Sequence, residues 1–437
     1  MQTPSVAPPS STMERHTPSA ARGWSWIPSL YFTQGLPNVA VATLSVVMYK
    51  NLGVSNTEIA LYTSWLYLPW VIKPLWSPLV ELLGRKRRWI VTTQFILGAA
   101  LACVALAVPA PAFFQATLAI FWLVAFSSAT HDIAADGFYL LALPEHQRAA
   151  FVGVRSTCFR LAMIAGQGGI VTLVGRWIAG GMSPAEAWRW MFAALAGVFA
   201  LVAAYHFVVL PRPPGDEVSR HARSLLGDAL AVFVAFFKKP GIGIAIAFML
   251  FYRFAEAQLA KLVPPFLLDP RAVGGLGLTT DQVGQLYGIA GTVSLLGGGL
   301  LGGWAISRLG LRALLWPMAG AINLPNVVYV FLAVAQPTSP AIIGTAIALE
   351  QFGYGLGFTA YLLYLMLIAE GAHKTAHYAI CTGFMALGMM LPGMLSGWLQ
   401  EELGYVSFFG WVCLATIPSF VVTGLIRVDP AYGRRRD

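Results

Sequence analysis

Two aspartates lie four residues apart in an otherwise apolar part of the sequence. Asp132 and Asp136 belong to the stretch DIAADGFY, which follows FFQATLAIFWLVAFSSATH and precedes LLAL. On a helix with 3.6 residues per turn, Ser128 and Tyr139 share one face with both aspartates. Carboxylates are costly in apolar surroundings, so this stripe indicates a partner cation, a bound ligand or proton transfer.

The next apolar segment contains a basic residue that can pair with these carboxylates. Arg160 shares a helical face with Ser156 and Gln167. An ion pair between Arg160 and one aspartate would satisfy both charges and lock two adjacent helices together. The alternative is that an aspartate titrates or contacts a ligand. We expect that Arg160 pairs with one aspartate and leaves the other free to titrate.

Polar residues also interrupt the first two apolar segments. Lys73 lies between Pro69 and Pro74, which are expected to kink their helix. It either contacts a ligand or extends its amine toward the nearer membrane interface. Gln34 and Asn38 share a face in QGLPN, where glycine and proline predict a distorted helix. These two residues form either one wall of a binding site or only a kink.

Charged residues recur in the second half of the chain. Arg253 and Glu256 are three residues apart, so we expect them to pair within one helix. Glu350 shares a face with Tyr354 and has no basic partner in its own helix. A carboxyl group in hydrocarbon without a cation favours its neutral form. Glu256 and Glu350 are therefore proton-coupling candidates beside the two aspartates.

The elements that carry these residues are membrane-spanning helices. The chain has 437 residues, of which 57% are hydrophobic and 11% are charged, and its mean hydropathy is +0.68. Soluble domains contain about 25% charged residues. Apolar runs of about 20 residues cross the hydrocarbon of a bilayer as helices, whereas a transmembrane barrel alternates apolar and polar residues. We predict an all-α protein embedded in the lipid bilayer.

Twelve spans are predicted, six on each side of a polar connection. The domains are a disordered cytoplasmic tail (1–24), a six-helix bundle (25–210), a cytoplasmic linker (211–240) that ends in an amphipathic helix, a second bundle (241–427) and a basic tail (428–437). The spans are 26–50, 58–82, 89–109, 113–142, 151–176, 186–210, 241–267, 281–307, 312–335, 340–370, 376–400 and 405–427.

Basic residues lie in alternate connections. The turn GRKRR at 84–88 and the C-terminal GRRRD are the densest basic runs. Positive charge marks the cytoplasmic side, so both termini are expected there, and the net charge of +9 does not indicate a nucleic-acid partner. Gly84 and Gly310 each precede basic residues half a chain apart, which suggests two parallel-related halves.

The sequence contains no pattern typical of an enzyme. GxSxG, HExxH, Walker and zinc-ligand spacings do not occur, and the four cysteines lie far apart with no CxxC. We expect no catalytic activity, no cofactor and no metal.

Four segments of the chain resemble the AmpG branch of the major facilitator superfamily, which is related to the acetyl-CoA transporters and to some siderophore importers. They are QGLP at 34–37, KPLWSPLVE at 73–81, SSATHDIAADGFY at 127–139 and FRLAM around Arg160. The branch has aspartate where this chain has Glu81.

The resemblance implies a monomeric inner-membrane importer of anhydro-muropeptides that works by alternating access and proton symport. It assigns Lys73, Asp132, Asp136 and Arg160 to the site and the basic turn to a cytoplasmic gate (Gly84, Arg85, Lys86, Arg87, Arg88). With the residues named above, the solute and proton candidates are Gln34, Asn38, Lys73, Asp132, Asp136, Tyr139, Arg160, Glu256, Glu350 and Tyr354. The alternatives are a siderophore or other small-solute carrier of the same fold, and a non-transporting membrane sensor, which would not need charges along facing helices.

Overall fold

The apolar segments form long helices. The computed structural model describes residues 23–213, 216, 222–371 and 373–434, and these contain no strand. Within the described residues, ten helical segments are long and apolar enough to cross a membrane. The helical segment 56–83, together with the division of Lys374–Leu425 at Gly404, brings the count to the predicted twelve.

The main helices are labelled in chain order, and α7 lies in the connection between the two sets of six. They are α1 (Ile27–Asn51), α2 (56–83), α3 (Lys86–Ala107), α4 (Phe113–Ala142), α5 (145–179), α6 (Pro184–Val209), α7 (Ala222–Phe237), α8 (Ile242–Leu268), α9 (Thr280–Leu309), α10 (Leu311–Ala335), α11 (Pro340–Ala369), α12 (374–403) and α13 (405–425). Helix α7 lies in the segment for which a linker helix was predicted. Residues 1–22 of the predicted tail, 214–215 and 217–221 of the linker, and 435–437 lie outside the described residues.

Helix α1 is distorted just after its proline. The α-helical part Ile27–Val39 continues through Pro37 and is followed by a π-helical stretch, Ala40–Leu44. Proline cannot donate a backbone hydrogen bond, and wider π turns accommodate such gaps. The predicted break at QGLPN is therefore a local widening of one continuous helix.

Helices α2 and α8 are each divided into two α-helical parts. Helix α2 turns between Asn56–Trp65 and Leu68–Leu83, so its bend precedes Pro69 and leaves Lys73 within a regular helix. Helix α8 is divided between Ile242–Phe251 and Phe254–Leu268. Arg253 lies at this division with φ −109° and ψ 21°, outside helical geometry.

The two halves of the chain pack closely at one end of the bundle, which we call the Asn56 end. A Cβ atom added to Gly397 of α12 would lie 2.1 Å from the carbonyl oxygen of Asn56 in α2. A Cβ atom added to Gly288 of α9 would lie 2.1 Å from the carbonyl oxygen of Gln167 in α5. Glycine permits this approach of helix backbones, so two helix pairs close this end.

The two turns of the proposed repeat lie at the opposite end of the bundle, which we call the Gly84 end. Helix α2 ends before Gly84 and helix α9 ends before Gly310, and a new helix follows each glycine. Gly310 has φ +85°, which favours glycine. The two turns thus occupy equivalent places in the two halves.

Candidate solute and proton site

The first predicted aspartate is held by α2. The Asp132 carboxylate lies 3.8 Å from the ammonium of Lys73 and accepts a hydrogen bond of 3.1 Å from the indole of Trp70. Gln34 of α1 neighbours the same carboxylate. The Asp132 and Lys73 side chains remain 14% and 23% exposed. Lys73 therefore faces the bundle interior and pairs there, rather than extending to the interface.

The second aspartate is held by α5. The guanidinium of Arg155 donates to Asp136 at 2.8 Å. It also lies over the rings of Tyr31 and Tyr139, at 4.6 and 5.5 Å from their centroids. Tyr378 of α12, in the other half, is an electrostatic neighbour of both charged groups. This ion pair thus faces the space between the halves, where Asp136 is 40% exposed.

The predicted ion pair between Arg160 and an aspartate is not formed. Arg160 and Arg155 are five residues apart, which places their side chains about 140° apart around α5. Arg155 points to α4, whereas the Arg160 guanidinium lies 3.9 Å from the position of an added Cβ on Gly299 of α9. Each aspartate has its own basic partner instead of sharing one arginine.

Arg155 and Trp70 are the site residues that sequence reasoning missed. Arg155 can be identified by comparing how many residues separate it, and how many separate Asp136, from the turn between α4 and α5. Asp136 lies six residues before the end of α4, and Arg155 lies ten residues after the start of α5. The two distances from the turn therefore differ by four residues, which is about 6 Å along the helix axis. For Arg160 the corresponding difference is about 13 Å.

In the second half, Arg253 contacts aromatic residues instead of the predicted Glu256. It donates a hydrogen bond to the hydroxyl of Tyr354 and lies 4.7 Å from the centroid of the Phe358 ring. The pairing of Arg253 with Glu256 fails because α8 is divided at Arg253, so the three-residue spacing is not helical there. The buried Nε of Arg253 has no partner among the described residues.

Glu256 and Glu350 are both deeply buried, with 3% and 1% exposure. The Oε2 atom of Glu350 accepts hydrogen bonds from the hydroxyl of Tyr329, at 3.1 Å, and from the amide of Gln351, at 2.9 Å. The Oε1 atom of Glu350 and the Oε2 atom of Glu256 have no partner within the described chain. Neither glutamate forms an ion pair with a described residue.

The remaining candidates of the first half are Gln34, Asn38 and Tyr139. Gln34 is buried and Asn38 is half-buried on α1. The hydroxyl of Tyr139 donates to the carbonyl of Arg148 at 2.5 Å, which ties α4 to the start of α5. Its ring still forms part of the surface under Arg155.

The basic turn at the Gly84 end contacts the first half of the chain and its linker. The backbone amides of Lys86 and Arg87, at the start of α3, donate to the carboxylate of Asp216 at 2.7 and 3.1 Å. An acid at a helix N-terminus is favourable because it meets free amides and the positive end of the helix dipole. Arg87 also donates to the carbonyls of Leu210 and Phe207, while Arg85 and Arg88 are exposed.

A polar cluster across the Asn56 end, which we call the latch, was not predicted. Lys50 and Asp269 form an ion pair of 2.6 Å between α1 and the end of α8. Asn56 of α2 donates to Asp269 at 3.1 Å and to Gln400 of α12 at 2.6 Å. Tyr405 of α13 donates to the same Asp269 carboxylate at 2.6 Å. The latch therefore joins both halves by charge-assisted hydrogen bonds.

Sequence comparison agrees with this architecture. The sequence model of the Major Facilitator Superfamily matches residues 29–376. The anhydromuropeptide permease of Escherichia coli is 26% identical over 418 residues, which cover 93% of this chain and 80% of that protein. A putative transporter AmpG 4 of Rickettsia conorii is 22% identical over 90% of this chain and 94% of its own.

A solved structure shares the fold. A bacterial homolog of the human lysosomal transporter Spinster, in an inward-facing and unoccupied conformation, superposes with a TM-score of 0.69. The match has 16% sequence identity and covers 94% of this chain and 96% of that chain. The family match spans most of the chain, and the helix count and the two six-helix halves fit it. The chain belongs to the Major Facilitator Superfamily.

Proposed function

We propose that this protein is an inner-membrane secondary transporter that imports peptidoglycan fragments of the anhydro-muropeptide class by alternating access, in symport with protons. The solute class is supported by the similarity to the Escherichia coli permease over 93% of the chain. Such a protein is not an enzyme and needs no cofactor, because the gradient supplies the driving force. One chain contains both halves, so a monomer can complete the cycle.

The observation that carries the proposal is the pair of partly exposed ion pairs between the spans. Asp136 and Arg155 are 40% and 32% exposed, although both belong to helices of the bundle. Charges at membrane depth face a water-filled cavity or a partner, not lipid. These residues belong to α4 and α5, and Tyr378 of α12 lies nearby, which supports a cavity between the halves.

The side chains around this cavity suit a large solute with sugar and peptide parts. The half-buried aromatic ring of Trp70 offers an apolar face to a sugar ring. Arg155 and Lys73 can exchange their aspartate partners for solute carboxylates, and the aspartates can accept an amine. A solute that carries both charges replaces both ion pairs without leaving a charge unpaired.

The arrangement of contacts fits one state of the cycle. The positive-inside rule assigns the Gly84 end to the cytoplasm. The latch then closes the outer side, while the half-exposed ion pairs face the inner side. Alternating access requires the halves to rock about the site, so the latch must open when solute enters from outside.

A siderophore or other solute carrier is the second candidate, because the same fold and the same paired charges can serve it. A sensor that transports nothing does not require partly exposed ion pairs between its halves.

An uptake experiment in cells separates these functions. The gene is deleted, and solutes left in the medium are compared with those of the parent strain. We expect anhydro-muropeptides to accumulate outside the deletion strain and to return to parental levels when the gene is restored. Loss of iron–chelator uptake with unchanged muropeptides would instead favour the siderophore carrier.

A further inference from the structure

Two buried carboxyl groups in the second half of the chain are distinct from the half-exposed ion pairs. Glu256 lies on α8 and Glu350 on α11, and both are more than nine-tenths buried. One oxygen of each has no hydrogen-bond partner among the described residues. A buried carboxylate without a cation is strongly disfavoured, whereas a protonated carboxyl carries no charge.

The two cations of α8, Arg253 and Lys261, form no ion pair with these carboxyls among the described residues, although Arg253 is an electrostatic neighbour of Glu256. Arg253 is engaged by the hydroxyl of Tyr354 and by aromatic rings. Lys261 donates to the hydroxyl of Thr63 at 3.0 Å, and its ammonium lies 5.3 Å from the ring centroid of Tyr67. Neither cation forms an ion pair with a described carboxylate.

The remaining titratable neighbours are tyrosines. Tyr329 of α10 donates to Glu350, and Tyr354 extends from α11 itself. Tyr287 of α9 neighbours both carboxyls and also neighbours Tyr67 of α2. All of these hydroxyls can donate hydrogen bonds, but none supplies a positive charge.

The two aspartates differ from the two glutamates because each aspartate has a cationic partner. Asp132 has Lys73 and Asp136 has Arg155, so protonation of either would break an ion pair. Asp136, which is 40% exposed and paired with Arg155, is therefore suited to remain ionised and to meet the solute. The glutamates are suited to gain and lose a proton.

We propose that Glu256 and Glu350 form the proton-binding site of the transport cycle, a proposal that rests on the symport proposed above. A proton from the outer side forms an O–H bond on one carboxyl, and that bond breaks when the site meets water on the inner side. Lys261 of α8 contacts Thr63 of α2, so the helix that carries Glu256 is joined to the first half of the chain, and movement of the halves can reach the site through α8.

An infrared measurement tests proton binding without any solute. Purified wild-type protein is compared at neutral pH with Glu256→Gln, Glu350→Gln and the double variant. Glu402→Gln, at an exposed position of α12, is the control. We expect the carbonyl band of a protonated carboxylic acid in the wild type and in the control, and its loss in the double variant. An unchanged band in the double variant would overturn the proposal.

A transport measurement in liposomes tests coupling. Each variant is assayed for accumulation against an imposed pH gradient and for counterflow of labelled anhydro-muropeptide at equal pH. One pH unit supports about tenfold accumulation per proton, since it equals about 1.4 kcal/mol. Glutamine resembles the protonated carboxyl, so we expect Glu350→Gln and the double variant to lose accumulation and to keep counterflow. Full accumulation by the double variant would contradict the proposal.

The two measurements distinguish failure of the proton site from failure of the proposed solute. Wild-type counterflow without gradient-driven accumulation overturns the proton site and leaves the solute proposal standing. Absence of counterflow, with the infrared band present and lost in the double variant, overturns the solute proposal and supports the proton site.

Discussion

The ammonium of Lys50 lies 2.6 Å from the carboxylate of Asp269, and this contact joins the two halves of the chain. The two residues are far apart in sequence and lie at the ends of α1 and α8. Their side chains are only 16% and 10% exposed, so water screens the pair less than it screens a surface ion pair. The pair belongs to the closed state of the Asn56 end and must separate when that end opens.

Removal of this ion pair is expected to favour opening of the Asn56 end. Lys50→Ala leaves Asp269 with its described hydrogen-bond donors Asn56 and Tyr405. Hydrogen bonds to charged groups contribute about 1.5 to 3 kcal/mol, so the equilibrium should shift by about that amount. Spin labels at the exposed positions Arg176 and Glu402, in a cysteine-free background, report the separation of the halves.

Lys50→Arg is the control for this experiment, because it keeps the charge. We expect a longer distance population between the labels in Lys50→Ala and little change in Lys50→Arg. The same distance distribution in all three proteins would show that the latch does not hold the closed state.

Arg155 is expected to matter for transport more than for folding. Arg155→Ala removes the partner of Asp136, but that carboxylate is 40% exposed and can be hydrated. Exposed ion pairs contribute about 0 to 1 kcal/mol, so thermal stability should change little. Uptake should fall at least about tenfold, because a charge-assisted contact to the solute is lost. Initial uptake rates and melting temperatures of the same preparation measure both effects.

Arg160→Ala is the matched comparison. A sequence-based pairing of Arg160 with an aspartate predicts a destabilised protein that Asp132→Asn or Asp136→Asn rescues. The structure predicts no rescue by either substitution. Rescue of Arg160→Ala by one of them would contradict the ion pairs described for α4.

Trp70 is expected to affect solute affinity through Asp132. Trp70→Phe keeps an aromatic ring but removes the donor that contacts the carboxylate at 3.1 Å. A lost hydrogen bond to a charged group costs about 1.5 to 3 kcal/mol, which is roughly a tenfold or larger rise in KM. Trp398→Phe, at a position 52% exposed on α12, should leave KM unchanged. Equal KM values for both variants and the wild type would show that Trp70 does not contribute to solute binding.

Local sequence rules predicted the helices well, because hydropathy over about 20 residues reflects the thickness of the bilayer. They also identified the helix faces that carry Asp132, Asp136 and Glu350. The partners were harder to predict. Arg155 and Arg160 differ by a rotation around α5 that the sequence does not orient, and Arg253 loses its spacing to Glu256 where α8 is divided.

The latch could not be predicted from such rules for a different reason. Lys50, Asn56 and Asp269 lie at helix ends, where polar residues are ordinary. Their contacts depend on how the two halves close, which is a property of the assembled bundle and of its state. Glycine at positions 288 and 397 permits that closure. A glycine in an apolar run does not, however, indicate which helix will pack against it.

The central claim is that the protein transports anhydro-muropeptides through a cavity that contains the ion pairs of Asp132 and Asp136. The most direct measurement is counterflow of labelled anhydro-muropeptide into liposomes that contain the purified protein, with Arg155→Ala as the site variant and a ferric siderophore as competitor. We predict saturable counterflow that Arg155→Ala reduces at least about tenfold and that the siderophore does not inhibit. Counterflow equal to that of protein-free liposomes, or transport of the siderophore in its place, would contradict the claim.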